Sequence, residues 1–378
     1  MENNMHTAIL CLTHSCNLDC IYCFEKKDGK HEMTLSVACD CVDRIVKVHC
    51  IEKLESVNIN FFGGEPLLKF EIIKGVFNYV QEYYSMYKIS FFISTNGTVL
   101  TEDMKEWFSI RKDKICLGLS LDGDKDSQNY NRSNSFDLID IDFFVRNWPQ
   151  QNFKMTLSEY SIRNYAHDVK YIHSLGVGIN GGDVCVGNYS WNKEELYSLF
   201  AKQLLELIDY YEQNSDKRNS LFELDLAACT APRIDRKCCG CGTSISYYET
   251  DGRKFPCTFI APMGFSDIEL QKMLKIDFSR VKYFTDKECK ENCYLYNVCK
   301  TCAAEDFMLS GRFDVHNKRN CGLKKIIAIA VAELQMRKII KDPNIYDKTR
   351  TYYTIEAIKK IRELYLPEYG KYFQISIC

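Results

Sequence analysis

The first two-thirds of this 378-residue chain predicts an α/β fold built on a parallel sheet, and three observations carry that expectation. From Met5 to about Leu224, short apolar runs rich in β-formers alternate with amphipathic helical segments, the pattern of repeated βα units. No apolar run approaches the ~20 residues a bilayer span needs. The 20 cysteines are densest in two zones, 16–23 and 238–321, which hold 12 of them, and the net charge is only −2. So weak a charge points to neither nucleic acid nor an anionic membrane. Met1–His6 shows no basic region followed by an apolar one, so no export signal is expected and the chain reads as cytoplasmic. In that compartment abundant cysteine argues for metal rather than for disulfides.

Strand candidates are 6–12, Val57–Phe62, Ile89–Ser94, Ile115–Ser120 and Lys154–Leu157, with a sixth inside Val177–Val186. Helix candidates are Leu35–Cys50, Lys69–Tyr87, Glu102–Ile110, Asp137–Asn147, Asn164–Leu175 and Lys193–Glu212. In the second of these Phe70, Ile73, Phe77, Val80 and Tyr84 recur at helical spacing and are expected to pack on the sheet. Ligands in α/β folds bind at the C-terminal ends of the strands. The loop Cys16-Asn-Leu-Asp-Cys20-Ile-Tyr-Cys23 follows strand one and so sits at that end. Thiolates are soft ligands suited to iron–sulfur clusters or zinc. A closed [4Fe–4S] cluster or a structural zinc takes four protein ligands, so three thiols leave one iron with open positions.

With aromatic Tyr22 and Phe24 flanking the last thiol, Cys16-x3-Cys20-x2-Cys23 resembles the cluster motif of radical S-adenosylmethionine (SAM) enzymes. The resemblance implies an open, six-stranded (β/α)6 partial barrel. It also implies a [4Fe–4S] cluster whose open iron is chelated by SAM, the source of a 5′-deoxyadenosyl radical. Phe61-Phe62-Gly63-Gly64-Glu65-Pro66 ends strand two and resembles the family's GGEP segment, which binds the amino group of SAM. Paired glycines also let a backbone come close to a ligand, with amides able to donate. Ser94-Thr95-Asn96-Gly97 and Ser120-Leu121-Asp122-Gly123 resemble the family's TNG and SLDG segments. They imply cofactor contact by Asn96 and by Ser120 on the ribose, with Arg132 pairing the SAM carboxylate. Asn-Gly and Asp-Gly are equally ordinary turn dipeptides.

A polar connector with Pro232 leads to the second thiol zone: Cys238, Cys239, Cys241, Cys257, Cys289, Cys293, Cys299, Cys302 and Cys321. Nine thiols exceed by one the eight that two closed [4Fe–4S] clusters need. Cys241-x10-Gly252-x4-Cys257 resembles the opening of the SPASM domain, which holds two auxiliary clusters. By that resemblance Cys238 (or Cys239), Cys241, Cys257 and Cys302 hold the nearer cluster, and Cys289, Cys293, Cys299 and Cys321 the farther. The spacing Cys289-x3-Cys293-x5-Cys299-x2-Cys302 exchanges the family's outer intervals, which loosens this partition. The competing reading is a pair of zinc knuckles. Of the other thiols, Cys11, Cys39, Cys41, Cys50, Cys116 and Cys229 are expected to act mainly as small buried apolar residues. Cys185, near the end of strand six, is a weak candidate for donating a hydrogen atom, and Cys378 a weaker one.

The expected organisation is a partial barrel over 1–225, a small cysteine-rich α+β SPASM domain over 226–342 and a helical tail over 343–378. The tail opens after a helix near 322–340 and carries another over 346–365. Many peptide-modifying relatives carry a leader-binding module before the barrel; so few residues precede strand one that none is expected here. The resemblance implies a peptide substrate, an electron donor such as flavodoxin or ferredoxin, and an anaerobic host. Two alternatives remain: an anaerobic sulfatase maturase forming formylglycine, and a non-catalytic, zinc-stabilised peptide-binding protein. In sulfatase maturases an Asp after the Gly-x4-Cys element is thought to take the substrate's proton. Here that position is Thr258, a poor base, with Tyr247, Tyr248 and Glu249 as nearby substitutes.

Overall fold

The computed structural model describes residues 5–25, 31–53, 55–184, 191 and 193–373. In chain order the elements are β1 (Met5–Thr13), α1 (Leu35–Ile45), β2 (Ser56–Gly63), α2 (Phe70–Tyr83), β3 (Ile89–Thr95), α3 (Glu102–Ile110), β4 (Ile115–Leu119), α4 (Lys125–Asn131), α5 (Ile141–Asn147), β5 (Phe153–Leu157), α6 (Tyr165–Ser174) and β6 (Ile179–Val184). They continue with α7 (Glu194–Gln213), β7 (Ile245–Tyr248), β8 (Lys254–Phe255), α8 (Asp267–Met273), α9 (Lys287–Asn292), α10 (Ala303–Ser310), α11 (Cys321–Lys341) and α12 (Lys348–Tyr369). The chain forms two compact units, Met1–Leu121 with Arg132–Gln151 and Gly240–Arg280, and Asp122–Asn131 with Asn152–Cys239 and Val281–Cys378.

The first unit holds a six-stranded sheet in the order β4-β3-β2-β1-β7-β8. It is parallel except for the β7–β8 hairpin. In β2 the alternation of Val57, Ile59 and Phe61 with polar Asn58 and Asn60 buries one face only. Ile59 is flanked by Ala8 and Phe91, both fully or almost fully buried, so one apolar layer runs across three strands. Threonine caps start the covering helices: Thr34 accepts from Val37 N and Thr101 from Met104 N. Ile73, Phe77 and Val80 of α2 are buried, as their spacing predicts.

Two features depart from the sequence expectation. The β1 edge pairs with β7, a four-residue strand from the thiol-rich zone, which carries 240–280 into this unit. The strands β5 and β6 form their own parallel ladder in the second unit rather than extending β4. Two local differences concern helix bounds. Helix α1 ends at Ile45 and continues as a π-helical stretch, Val46–Glu52. The segment before α5 is a separate 3-10 turn, Phe136–Leu138, with Asp140 capping α5.

In the second unit α11 packs on α7 and α12. Arg337 of α11 reaches Asp209 at 2.7 Å and Glu212 at 3.1 Å on α7. Gly322 lies against Tyr197; a Cβ there would stand 2.0 Å from the Tyr197 hydroxyl oxygen. Asp122, fully buried, accepts from Asn131 Nδ2 at 3.1 Å and Thr156 N at 3.0 Å, joining α4 to β5. The expected helices near 322–340 and 346–365 are α11 and α12.

Candidate cofactor and cluster sites

The loop Cys16–Cys23 leaves the C-terminal end of β1, with Cys16 and Cys20 half-buried and Cys23 exposed. Its shape is fixed from both sides. The Cys23 amide closes a turn on the Cys20 carbonyl at 3.0 Å. The Asp19 amide donates to Ser133 Oγ at 2.8 Å, and Ser133 and Asn134 adopt left-handed backbone to make that approach. Leu18 N points at Cys16 Sγ at 3.4 Å and Asn96 Nδ2 approaches it at 3.8 Å. Donors aimed at sulfur favour the thiolate a cluster needs. Three soft, accessible thiols on a braced loop fit a [4Fe–4S] cluster.

Glu65 is the hub beside this loop. It is 1 % exposed and accepts from Leu67 N at 3.0 Å, Thr95 Oγ1 at 2.8 Å and Asn96 N at 2.8 Å. Burial pushes its carboxyl up to about 7, against those three bonds. The glycines before it allow a close approach within the protein as well. A Cβ on Gly63 would stand 2.1 Å from the Thr13 carbonyl oxygen, and one on Gly64 2.3 Å from that of Ser15. The amides of Gly64 and Glu65 donate to these same carbonyls at 2.9 Å. These glycines therefore let the β2 loop lie directly on the start of the thiol loop. An ammonium group takes acceptors, so carbonyls rather than these amides suit a SAM amino group.

Asn96, 7 % exposed, is also a brace: Nδ2 donates to Asn17 Oδ1 at 3.0 Å, while Oδ1 accepts from Thr98 N at 2.9 Å. Ser120 is 9 % exposed, and its amide donates to the Thr95 carbonyl at 2.9 Å, next to the Asn96 turn. Arg132, 8 % exposed, sets its guanidinium 5.4 Å from the Tyr22 ring centroid, inside the thiol loop. Gly63, Gly64, Glu65, Asn96, Ser120 and Arg132 thus converge on one end of the sheet with Cys16, Cys20 and Cys23.

One group in this region is not apparent from sequence. His14 places Nδ1 2.9 Å from Glu25 Oε2 and Nε2 2.7 Å from Glu249 Oε1. Contacts with Cys11, Glu249 and Glu25 push its imidazole up to about 12. Burial alone would raise Glu249; the His14 and Thr250 hydrogen bonds hold it below the usual glutamate value. The residues lie up to 235 positions apart, so only the β1–β7 ladder reveals them.

In the second unit Cys289, Cys293, Cys299 and Cys321 come together. Burial pushes Cys289 up to about 12, with Asp286, Cys293 and Cys321 adding to it. Cys299 and Cys321 are raised by burial too, and Lys324 opposes the rise. Four crowded thiols with cationic and hydroxyl donors around them fit a metal–sulfur cluster. Lys324 Nζ is anchored on the Lys300 carbonyl at 2.7 Å, and Tyr365 of α12 contacts Cys293. Cys229, expected to be merely apolar, is buried beside Cys293. Of the adjacent pair, Cys238 receives Arg236 Nη2 at 2.9 Å and Thr301 Oγ1 at 3.2 Å, whereas Cys239 is exposed. Cys302 lies in the second unit; Cys241 and Cys257 lie in the first, where Ile260 N approaches Cys257 Sγ at 3.4 Å. Cys185 and Cys378 lie outside the described residues.

Residues 10–139 match the Radical SAM superfamily model. The chain is 33% identical over 123 residues to an uncharacterized protein of Methanocaldococcus jannaschii, covering 32% of this chain and 41% of that protein. It thus spans less than half of that relative. It is 27% identical over 321 residues to the cysteine-type anaerobic sulfatase-maturating enzyme of Clostridium perfringens, covering 75% and 85%. Two solved structures share the fold. Native anSMEcpe with bound AdoMet and Cp18Cys peptide superposes with a TM-score of 0.64 at 20% identity, over 90% of this chain and 99% of that one. Streptococcus suis SuiB bound to precursor peptide SuiA gives 0.58 at 15% identity, over 84% and 76%. The matched segment, about a third of the chain, carries the three-thiol loop, the Glu65 hub and strands β2, β3 and β4 together; over it the chain is similar to the radical SAM superfamily, and along most of its length it is an enzyme resembling an anaerobic sulfatase-maturating enzyme.

Proposed function

We propose that this enzyme modifies a ribosomally made peptide, forming a thioether or carbon crosslink or inverting a stereocentre. The observation that carries the reading is the braced three-thiol loop beside Glu65, Asn96, Ser120 and Arg132, in a chain whose structural neighbours hold AdoMet and peptides. Cys16, Cys20 and Cys23 would hold the SAM-binding cluster. Gly63, Gly64, Glu65, Asn96, Ser120 and Arg132 would hold SAM. SAM bound there would supply radical chemistry for abstracting a substrate hydrogen atom. The chain's own part is positional: Glu65 and Asn96 fix the loop, Ser120 lies at the ribose side and Arg132 offers a guanidinium to a carboxylate. Cys238, Cys241, Cys257 and Cys302, with Cys289, Cys293, Cys299 and Cys321, would hold two auxiliary clusters, making three in all. A flavodoxin or ferredoxin in an anaerobic cytoplasm would supply the electron.

Formylglycine formation is the second reading, favoured by the extent of the match to the sulfatase-maturating enzyme. Thr258 weakens it, since a hydroxyl is a poor proton acceptor where that chemistry uses a carboxylate. Release of 5′-deoxyadenosine from anaerobically reconstituted protein with dithionite tests the shared chemistry. Undiminished release after Cys16→Ala, Cys20→Ala and Cys23→Ala together refutes the assignment of the thiol loop.

A further inference from the structure

Beside the thiol loop, β1 and β7 bring a second set of metal-ligating side chains together. Leu10 pairs with Tyr248 in the parallel ladder, so the next residues on the two strands, Cys11 and Glu249, stand side by side. His14, three residues beyond Cys11, folds back between them. Its Nε2 is 3.9 Å from Cys11 Sγ and 2.7 Å from Glu249 Oε1, and the three ligand atoms lie within 4.8 Å of one another.

We propose that Cys11, His14 and Glu249 form a mononuclear site for a divalent transition metal, with zinc as the ion their mixed sulfur, nitrogen and oxygen donors suit. This stands independently of the peptide-modifying reading.

Four features support it. First, the spacing fits. Bond lengths of about 2.3 Å to sulfur and 2.0–2.1 Å to nitrogen or oxygen give tetrahedral edges of about 3.6 Å and about 3.4 Å. Cys11 Sγ is near that distance, 3.9 Å from Nε2, but is also 4.0 Å from Nδ1, so the thiol must turn toward the Nε2 lone pair to share an ion with it. The nitrogen–oxygen edge is shorter because a hydrogen bond spans it, and it opens by a small side-chain rotation. Second, the other face of the imidazole is held by Glu25 at 2.9 Å. A carboxylate that fixes the far ring nitrogen is the usual outer partner of a metal-bound histidine. Third, the site is dry on one side: Cys11 is fully buried, Glu249 is 4 % exposed, and Glu25 Oε1 is buried without a partner among the described residues. Two carboxyl groups and a thiol crowd one imidazole there, and a divalent cation bound to them would take the place of the proton between Nε2 and Glu249. Fourth, the other side opens into a cavity of about 250 Å³ lined by His14, Glu249, Asp251, Arg253 and Met263. Three protein ligands facing a cavity leave the fourth position of the ion for water or another ligand.

The test uses the full chain, reconstituted anaerobically with iron and sulfide, given one equivalent of Zn²⁺ and desalted. Elemental analysis should find close to one zinc per chain. In Cys11→Ala and in Glu249→Ala the zinc should fall at least five-fold while iron stays at the wild-type value. X-ray absorption at the zinc edge of the wild type should show one sulfur at about 2.3 Å and the remaining ligands as nitrogen or oxygen. A zinc content below a tenth per chain overturns the proposal. So does a shell of three or four sulfurs, which would place the ion on the other thiols. Equal zinc in wild type and both variants overturns it as well, leaving His14, Glu25 and Glu249 as a hydrogen-bonded clasp. Should a variant fail to fold, the wild-type absorption spectrum decides alone.

Discussion

Glu65 Oε2 accepts the Asn96 amide at 2.8 Å, so the loop after β2 and the loop after β3 are locked together beneath the thiol loop. Asn96 in turn reaches Asn17 and Cys16, so displacement at Glu65 is transmitted to the start of the thiol loop. In Glu65→Gln the amide nitrogen meets a backbone donor, Asn96 N–H or Leu67 N–H, in place of an acceptor. A buried donor left unsatisfied costs about 1–3 kcal/mol. SAM affinity should fall about ten-fold or more, read by equilibrium dialysis on reconstituted protein, with the overall iron content retained. Unchanged affinity would mean that this brace does not position the cofactor.

The same residue predicts a pH dependence. Its folded value of about 7 exceeds the ordinary 4.5, so the folded chain binds a proton that the unfolded chain has already released between those values. Its contribution is therefore full below about pH 4.5 and is lost as pH rises to 7 and beyond, an effect on the order of 3 kcal/mol at most. Melting temperatures of wild type and Glu65→Gln, compared at pH 5.5 and pH 8, should show the wild type losing more with rising pH. A difference that does not change with pH would refute the shifted carboxyl.

Removing Cys16, Cys20 and Cys23 together should lower iron from about twelve to about eight atoms per chain, at four irons for each cluster. The remaining absorption and iron would belong to the thiols of 238–321. Near-complete loss of iron would show that the clusters assemble only together. About four irons in the wild type with stoichiometric zinc would make the second thiol zone a zinc centre.

Lys324 places a cation beside Cys299 and Cys321, and Tyr365 touches Cys293. A positive charge near a cluster favours its reduced state. Unit charges ~6 Å apart at an effective dielectric of ~20 interact by roughly 2–3 kcal/mol, equivalent to about 100 mV for one electron. Lys324→Met should shift one cluster to more negative potential by up to that amount, with Tyr365→Phe giving a smaller shift of the same sign. An EPR-monitored redox titration checks this. Unmoved potentials in both variants would detach these residues from the farther cluster.

The alternation of strands and helices was legible because each signal is local. So were the three-thiol loop and the apolar stripe of α2. What escaped was set by pairing across long separations. β7 is four residues long, Ile-Ser-Tyr-Tyr, and nothing in it announces a place beside β1, some 240 residues earlier. Once that ladder is known, Glu249 and Cys11 fall together with His14. The Gly63-Gly64 pair was visible as a place of close approach, but one of its partners was not: the carbonyls of Thr13 and Ser15 lie against it. A glycine reports that space is tight and leaves open what fills it.

The substrate prediction rests on Thr258, half-buried and directly after Cys257 in the chain. Formylglycine formation removes two electrons and protons from a cysteine or serine side chain, and the family resemblance implies a carboxylate at this position as the acceptor. Threonine does not ionise near neutral pH, so that route lacks its base. Asp251 and Glu249 are the nearest carboxyls in sequence that line a cavity, yet both are engaged: Asp251 Oδ2 with Arg253 Nε at 2.6 Å, Glu249 Oε1 with His14 and the Thr250 amide, and Glu249 Oε2 with the Tyr247 hydroxyl at 3.4 Å. Incubation with SAM, reductant and a peptide bearing Cys-x-Pro-x-Arg should therefore leave the peptide mass unchanged while SAM is slowly consumed. Thr258→Asp should not lower 5′-deoxyadenosine release and should raise any trace of formylglycine. Formylglycine at a rate matching SAM consumption in the wild type would establish the maturase reading. Loss of two hydrogens, or uptake of solvent deuterium, in a peptide encoded beside the enzyme would establish peptide modification instead.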